Sequence, residues 1–361
     1  MPVQKVKKSR DLTLDLLRGY FLFVIIIDHL QSFPSLFEIF TARGGLWISA
    51  AEGFFFISGL LVGRLRIAEA RRDFKVARHK LLKRAGQLYL VSIILTLLFT
   101  IWSHLFHYAP SMSLGLSYDP AWLVVVKIVT LQYSYGLADM LPLYATYLLL
   151  SIPALWLILK GRAWLVLLIS LALWAIGFSA AEPIRLTKVY FSDISWQVLF
   201  FSGLLVGCYF ERIWSWWGEF KPVAKRRVVI VLLILLVVLL SISVGIFYHG
   251  WIPQSFRPTE SFLFDKIKLG LGRVVVFTIF ITLAYLVVKR FEDKIVRWVG
   301  WLFLPFGQNS LYVYIVQSVI IFAPFGIPYK NIFASSLEDV AVIFVIWWLT
   351  TRKVFFKYIP R

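Results

Sequence analysis

The chain reads as an all-α, polytopic integral membrane protein, a single transmembrane domain over residues 1–361. Three observations predict this. Of its 361 residues 60% are hydrophobic and 16% charged, with a mean hydropathy of +0.79, more apolar surface than a soluble domain needs. Apolar windows of about 20 residues, the length that crosses a bilayer as a helix, recur along the whole chain. Basic residues collect in alternate connections between those windows.

The windows fall near 15–33, 46–64, 84–103, 139–159, 163–180, 194–211, 227–248, 269–289, 305–324 and 337–356, about ten spans in all. Before the first, Lys5, Lys7, Lys8 and Arg10 resemble a signal-peptide n-region. The run that follows has no small-residue cleavage site and contains Asp28 and His29, so it reads as a retained first span. The interval 121–133, after Asp119-Pro120, is shorter and reads as an interfacial or re-entrant helix. The second connection carries nine bases in 21 residues, from Arg64 to Arg84; Lys221, Arg226, Lys289, Arg297, Arg352 and Lys357 continue the alternation further on. Of the intervening connections, the first holds only Arg43 and the third only Lys127. The positive-inside rule then puts both termini in the cytoplasm, which an even span count requires. The formal charge of +19 is thereby a topological signal and not a nucleic-acid footprint. The one cysteine, Cys208, excludes an internal disulfide and a Cys-based metal site.

One internal echo stands out. Phe55-Phe56-Ile57-Ser58-Gly59-Leu60-Leu61-Val62-Gly63 resembles Phe200-Phe201-Ser202-Gly203-Leu204-Leu205-Val206-Gly207. Both lie in spans running from outside to inside, and both contain Gly-x-x-x-Gly, which lets helices approach closely. Convergent packing is favoured over a duplication, because no other span repeats.

The stretch with most chemistry in it is Arg10-Asp11-x-x-x-Asp15-x-x-Arg18-Gly19, running into an apolar helix that carries Asp28-His29. Charge inside a membrane helix is expensive and marks function by default; the plainer alternative is a histidine satisfied by a neighbouring helix. His29 lies roughly 6 Å from the outer end of its span and Glu52 roughly 8–9 Å into the next, so helix rise places them at similar depth. A carboxylate beside an imidazole orients it and raises its basicity, as a general base requires. Asp139 enters at the outer end of the fourth span and is either part of this group or a solvated interfacial residue. Arg18 and the bases of the second connection, Arg78 and Arg84 among them, suit a polyanion such as a nucleotide phosphate or an anionic lipid, or serve topology alone. His29 is roughly 16 Å from Arg18 along the helix, so a thin acyl carrier held by its phosphates at the cytoplasmic face would bring its reactive end near His29. Gln308-Asn309-Ser310 and Trp196-Gln197 are polar steps that either line a cavity or join helices. His104-x-x-His107 has no carboxylate at ligand spacing, so no metal is expected. Neither a Gly-x-Ser-x-Gly elbow nor a Walker loop is present.

Taken together, these motifs resemble the OpgC-type branch of membrane acyltransferases, a relative of the acyltransferase-3 group. The opening stretch with His29 is similar to that family's first helix. Ser49-Ala50-Ala51-Glu52-Gly53-Phe54-Phe55-Phe56-Ile57-Ser58-Gly59, Arg84-Ala85-Gly86-Gln87-Leu88-Tyr89 and Asp139-Met140-Leu141-Pro142-Leu143-Tyr144 resemble its next three landmarks. Trp196-Gln197-Val198-Leu199-Phe200 and Gly307-Gln308-Asn309-Ser310-Leu311 follow in order. The resemblance implies a multi-pass inner-membrane enzyme without a resident cofactor. It would move an acyl group, succinyl in the named branch, from cytoplasmic acyl-CoA to a hydroxyl of a periplasmic glucan, amid membrane lipids. His29 matches the histidine held catalytic in the wider group, as base or as acyl carrier; either role needs a neutral imidazole. Asp28 stands where the pattern has Asn, Ala51 where it has Gly, and no Arg-x-x-Arg occurs in the second connection. The expected site is therefore His29, Glu52 and Asp28 for chemistry. Arg18, Arg78, Arg84, Asp139, Trp196, Gln197, Asn309 and Ser310 are expected to bind substrate. The rival class is a secondary transporter relaying protons through Asp28, His29, Glu52 and Asp139.

Overall fold

A computed structural model describes residues 11–106, 119–134, 136–185, 191–322 and 331–359; Lys5, Lys7, Lys8, Arg10 and His107 lie outside them. Helix α1, Leu12–Leu30, begins where the Asp11 side chain caps the Leu14 amide. Helix α2, Ala50–Arg72, begins at a capping box formed by Ser49 and Glu52. Then come α3, Phe74–Phe106, the short α4, Ala121–Val129, and α5, Met140–Leu159. They are followed by α6, Ala163–Ser179, α7, Asp193–Cys208, α8, Phe210–Glu219, and α9, Pro222–His249. The last five are α10, Arg257–Leu263, α11, Leu271–Arg290, α12, Glu292–Gln308, α13, Ser310–Phe322, and α14, Ile332–Thr351. No strand occurs among the described residues.

Eight of the ten apolar windows fall on one helix each, while 194–211 reaches from α7 into α8 and 305–324 is shared by α12 and α13. Five helices, α3, α5, α9, α11 and α14, are by themselves long and apolar enough to cross a membrane. A sixth span results if α7 and α8, bent by 69° at Tyr209, count as one. Helices α1 and α2 fall outside this group through the charges they carry, Asp15, Arg18 and Asp28 on α1 and Glu52, Arg64, Arg66 and Glu69 on α2. On α6 and α9 the exposed faces are Leu168, Ile169, Ile234 and Val237, a surface suited to lipid tails.

Two sequence boundaries change, and one short helix is as expected. The basic second connection is not a loop: α2 runs on to Arg72 and α3 restarts at Phe74, so the nine bases lie on two helix ends joined at Asp73. Part of that charge is used internally, by Arg64 with Asp11 and by Arg66 and Lys80 with Glu69. The window 305–324 is broken at Asn309, because Pro305 disturbs the end of α12 and the chain restarts as α13 at Ser310. The interval 121–133 contains only nine helical residues, too few to span.

The echo between the second and sixth windows is a packing surface. Helices α2 and α7 lie side by side, pointing the same way. A Cβ added at Gly59 would land on the Phe200 carbonyl, and one at Gly63 on the Leu204 carbonyl. Reciprocally, Gly203 faces the Phe56 carbonyl and Gly207 the Leu60 carbonyl. Four glycines thus let two backbones touch, as small residues do between membrane helices. Gly19 of α1 and Gly307 of α12 make a second contact of this kind, through the carbonyls of Phe303 and Asp15. Gly59→Ala is expected to push the α2–α7 pair apart and cost about 1–3 kcal/mol. Gly86→Ala, on the exposed face of α3 with nothing within 4 Å, is expected to be neutral or stabilising by up to about 1 kcal/mol. Thermal unfolding of the two variants in detergent checks the contrast.

Candidate active site

The opening stretch divides its labour. Asp11 caps α1 and pairs with Arg64 across to α2. Asp15, buried, pairs with Arg18 one turn on at 3.3 Å. That pairing is what makes a guanidinium tolerable at this point of an apolar bundle.

Arg18 lines a cavity of about 60 Å³ enclosed by α1, α2, α3, α5 and α13. Arg84, Ser58, Tyr144, Ser310 and Tyr314 supply the rest of its polar lining. Phe54, Phe55, Met140, Leu141 and Leu311 supply the apolar part. Three residues expected to bind substrate, Arg18, Arg84 and Ser310, are therefore brought together although they are far apart in sequence. Asp139 directly precedes Met140 on the same wall. The break at Asn309 is what turns Ser310 into the cavity: Asn309 donates its side-chain amide to the Pro305 carbonyl at 2.9 Å and so stabilises the broken turn. The Tyr314 hydroxyl donates to the Leu137 carbonyl at 2.5 Å, fixing that ring. A space of this size holds a few waters or a thin chain, and no nucleotide.

Arg78 is not part of the cavity. It lies exposed six residues before Arg84 on α3, roughly 9 Å down the helix. Nor do Trp196 and Gln197 reach it. Gln197 spends its amide on α6, donating to the Ser170 carbonyl and accepting from the Ser170 hydroxyl, both at 2.7 Å. Trp196 is wholly buried and donates its indole N–H to the carbonyls of Lys266 and Ile267. Both residues join elements together, the second of the two readings their sequence allowed.

His29 closes α1 at its other end. Its Nδ1 is buried and makes no hydrogen bond among the described residues, which leaves Nε2 as the nitrogen able to meet a reactant. Asp28 lies beside it, with the Lys266 ammonium 4.0 Å from the Asp28 carboxylate. The connection after α1 folds over this end. Phe37 and Phe40 pack on the Phe23 ring, Ser32 donates to Glu338 at 2.8 Å, and Ser35 bonds to Asp339 on α14. In the same connection the hydrogen bond from Arg43 holds the Glu38 carboxyl below the usual carboxylate range.

Glu52 does not orient His29. One of its oxygens accepts from Nε and Nη2 of Arg273, at 2.9 and 2.5 Å; the other accepts from the backbone and hydroxyl of Ser49. The depth argument fails because α2 starts only at Ala50, and Gly53 packs on the ring of Phe21. Phe21 precedes His29 by eight residues, roughly 12 Å of helix. A carboxylate so clamped also makes a poor station in a proton relay, which removes one member of the rival scheme. Arg273 was missed in sequence, although a lone cation four residues inside an apolar window is the signal that would have found it. Tyr144, Tyr314 and Lys266 were missed as well, with no comparable signal.

The arrangement thus has a polar cavity suited to an anionic or thin polar ligand, and an imidazole with one free edge at the far end of the same helix. A substitution tests the first. Arg84→Gln is expected to weaken the binding of an anionic ligand in this cavity about tenfold or more, because a charged hydrogen bond is lost; binding isotherms of the two proteins check this.

No curated protein and no solved structure matches the chain. A family profile does, described as OpgC protein, over residues 10–355. That match takes in every helix described above, and by it the chain belongs to the OpgC protein family.

Proposed function

We propose that this protein moves a succinyl-like acyl group from cytoplasmic acyl-CoA to a hydroxyl of a periplasmic or extracellular glucan, working as a multi-pass enzyme of the inner membrane. The observation that carries the reading is the family match over nearly the whole chain, which points to a glucan-modifying acyltransferase. The site supports it in three ways. The exposed Arg78 suits the phosphates of acyl-CoA on the basic side. The cavity between Arg18 and Arg84 suits a thin polar carrier arm and excludes the nucleotide. The roughly 16 Å from Arg18 to His29 is a length such an arm can bridge.

In this reading His29 takes the proton of the acceptor hydroxyl through Nε2, and the hydroxyl oxygen attacks the thioester carbonyl. Asp28, next to it, favours the imidazolium that forms. No resident cofactor enters; the acyl-CoA is itself the activated donor, and lipids and the glycan are the remaining partners. The test is mass spectrometry of glycans from cells lacking the protein. Loss of one acyl mass from a glucan, restored by the wild-type chain and not by His29→Ala, is expected. Unchanged glycans would refute the acceptor.

A further inference from the structure

We propose that Lys266 is a catalytic residue of this transfer: its ammonium, held beside Asp28 and His29, stabilises the oxyanion formed on the thioester carbonyl. The inference rests on the acyltransferase reading above and adds a residue to it.

Lys266 sits in the connection 264–270 between α10 and α11. Its Nζ is 4.0 Å from the Asp28 carboxylate, too far for a hydrogen bond, and it makes none with any described residue. About 35% of the side chain is exposed, and its ammonium has three donors to offer. Its charge also acts on His29 directly. The backbone around it is fixed with unusual thoroughness for a connection. Trp196 donates its indole N–H to the carbonyls of Lys266 and Ile267, at 3.1 and 3.0 Å. The Ser192 amide donates to Ile267 at 3.0 Å, and the Trp174 indole to the Leu269 carbonyl at 2.9 Å. The Gly270 amide closes back on the Asp265 carbonyl at 2.9 Å. Three consecutive-to-near carbonyls are thus held from α6 and α7. A connection needs no such anchoring to link two helices, whereas a cation aimed at developing charge gains most when it is already in position.

The step balances as follows. His29 Nε2 takes the acceptor proton while the hydroxyl oxygen bonds to the carbonyl carbon. The C=O π pair moves onto oxygen, where the Lys266 ammonium meets it. The C=O bond then re-forms, the C–S bond breaks, and the CoA sulfur leaves with the proton from the imidazolium. Lys266 keeps its own protons throughout. In this scheme Trp196 is a positioning residue that acts through Lys266.

The test is steady-state transfer by the full-length protein in detergent, with succinyl-CoA and a glucan. Lys266→Met is expected to lower kcat about 10²–10³-fold, with both KM values changed less than threefold. Lys266→Arg should retain a measurable part of the rate. Trp196→Phe, which removes the indole N–H together with the five-membered ring, should lower kcat about tenfold, and should add no further loss to Lys266→Met. The inference is overturned if Lys266→Met keeps kcat within threefold, or if its loss lies in either KM. It is overturned equally if Trp196→Phe slows Lys266→Met by the same factor as it slows the wild type. Should Lys266→Met unfold, an unchanged kcat in Trp196→Phe would refute it, while a graded loss there with Lys266→Arg still active would support it. A wild-type protein that transfers nothing refutes the acyltransferase reading, and this inference with it; the other results bear on Lys266 alone.

Discussion

His29→Ala is expected to lower acyl transfer by roughly 10²–10⁴-fold and to leave the amount and thermal stability of the protein near wild type. The second half follows from the geometry. Nδ1 bonds to nothing among the described residues, so truncation removes no hydrogen bond that holds helices together. A core histidine would behave in the opposite way, because a buried group whose partner is removed costs about 1–3 kcal/mol. Rate and melting temperature measured on one detergent-purified preparation separate the two. Loss of the protein from the membrane would make His29 a packing residue.

Glu52→Gln is expected to do the reverse, destabilising the protein before it touches the chemistry. The Arg273 side chain is 5% exposed and that of Glu52 is fully buried, and the pair joins the first turns of α2 and α11. Removing one partner strands the other charge inside the protein, which costs roughly 3–5 kcal/mol. Replacing both, as in Glu52→Leu with Arg273→Met, should recover most of that loss, since an apolar pair of similar volume is often no worse than a buried ion pair. Unfolding temperatures of the two single variants and the double variant form the cycle. A well-folded Glu52→Gln with kcat reduced and stability intact would return Glu52 to the chemistry.

How far the sequence reached can be seen residue by residue. The helices were legible because an apolar window of about 20 residues has few other ways to fold in lipid. The small-residue stripes of α2 and α7 were visible as a repeated Gly-x-x-x-Gly, since such a stripe is a local pattern; that they face each other was not. Arg18 was picked out as a charge in an apolar helix, Ser310 as part of a polar step and Arg84 as one of the bases of the second connection, and the three line one cavity. What failed was the pairing of Glu52. Depth along a helix depends on where the helix starts, and the connection 31–49 hides how far Ala50 lies below His29. Which cation meets Glu52 is a non-local fact set by the rotation of α11, and no local pattern in the chain encodes it. Trp196 and Gln197 failed differently. Their types suit a sugar face, yet both are spent on neighbours, as buried polar groups in a tight bundle usually are. Lys266 lies in a connection, where a lysine looks like any solvated charge until its backbone is seen to be anchored.

The central claim is acyl transfer across one active site with no gradient required. Its most direct test is the purified protein in detergent, mixed with succinyl-CoA and a glucan, with free CoA thiol and glucan ester followed together. Thiol release is expected to depend on the glucan, with one ester formed per thiol, and neither is expected in His29→Ala. No thiol and no ester in detergent, with solute flux appearing only in sealed vesicles under a proton gradient, would contradict it and leave a transporter in its place.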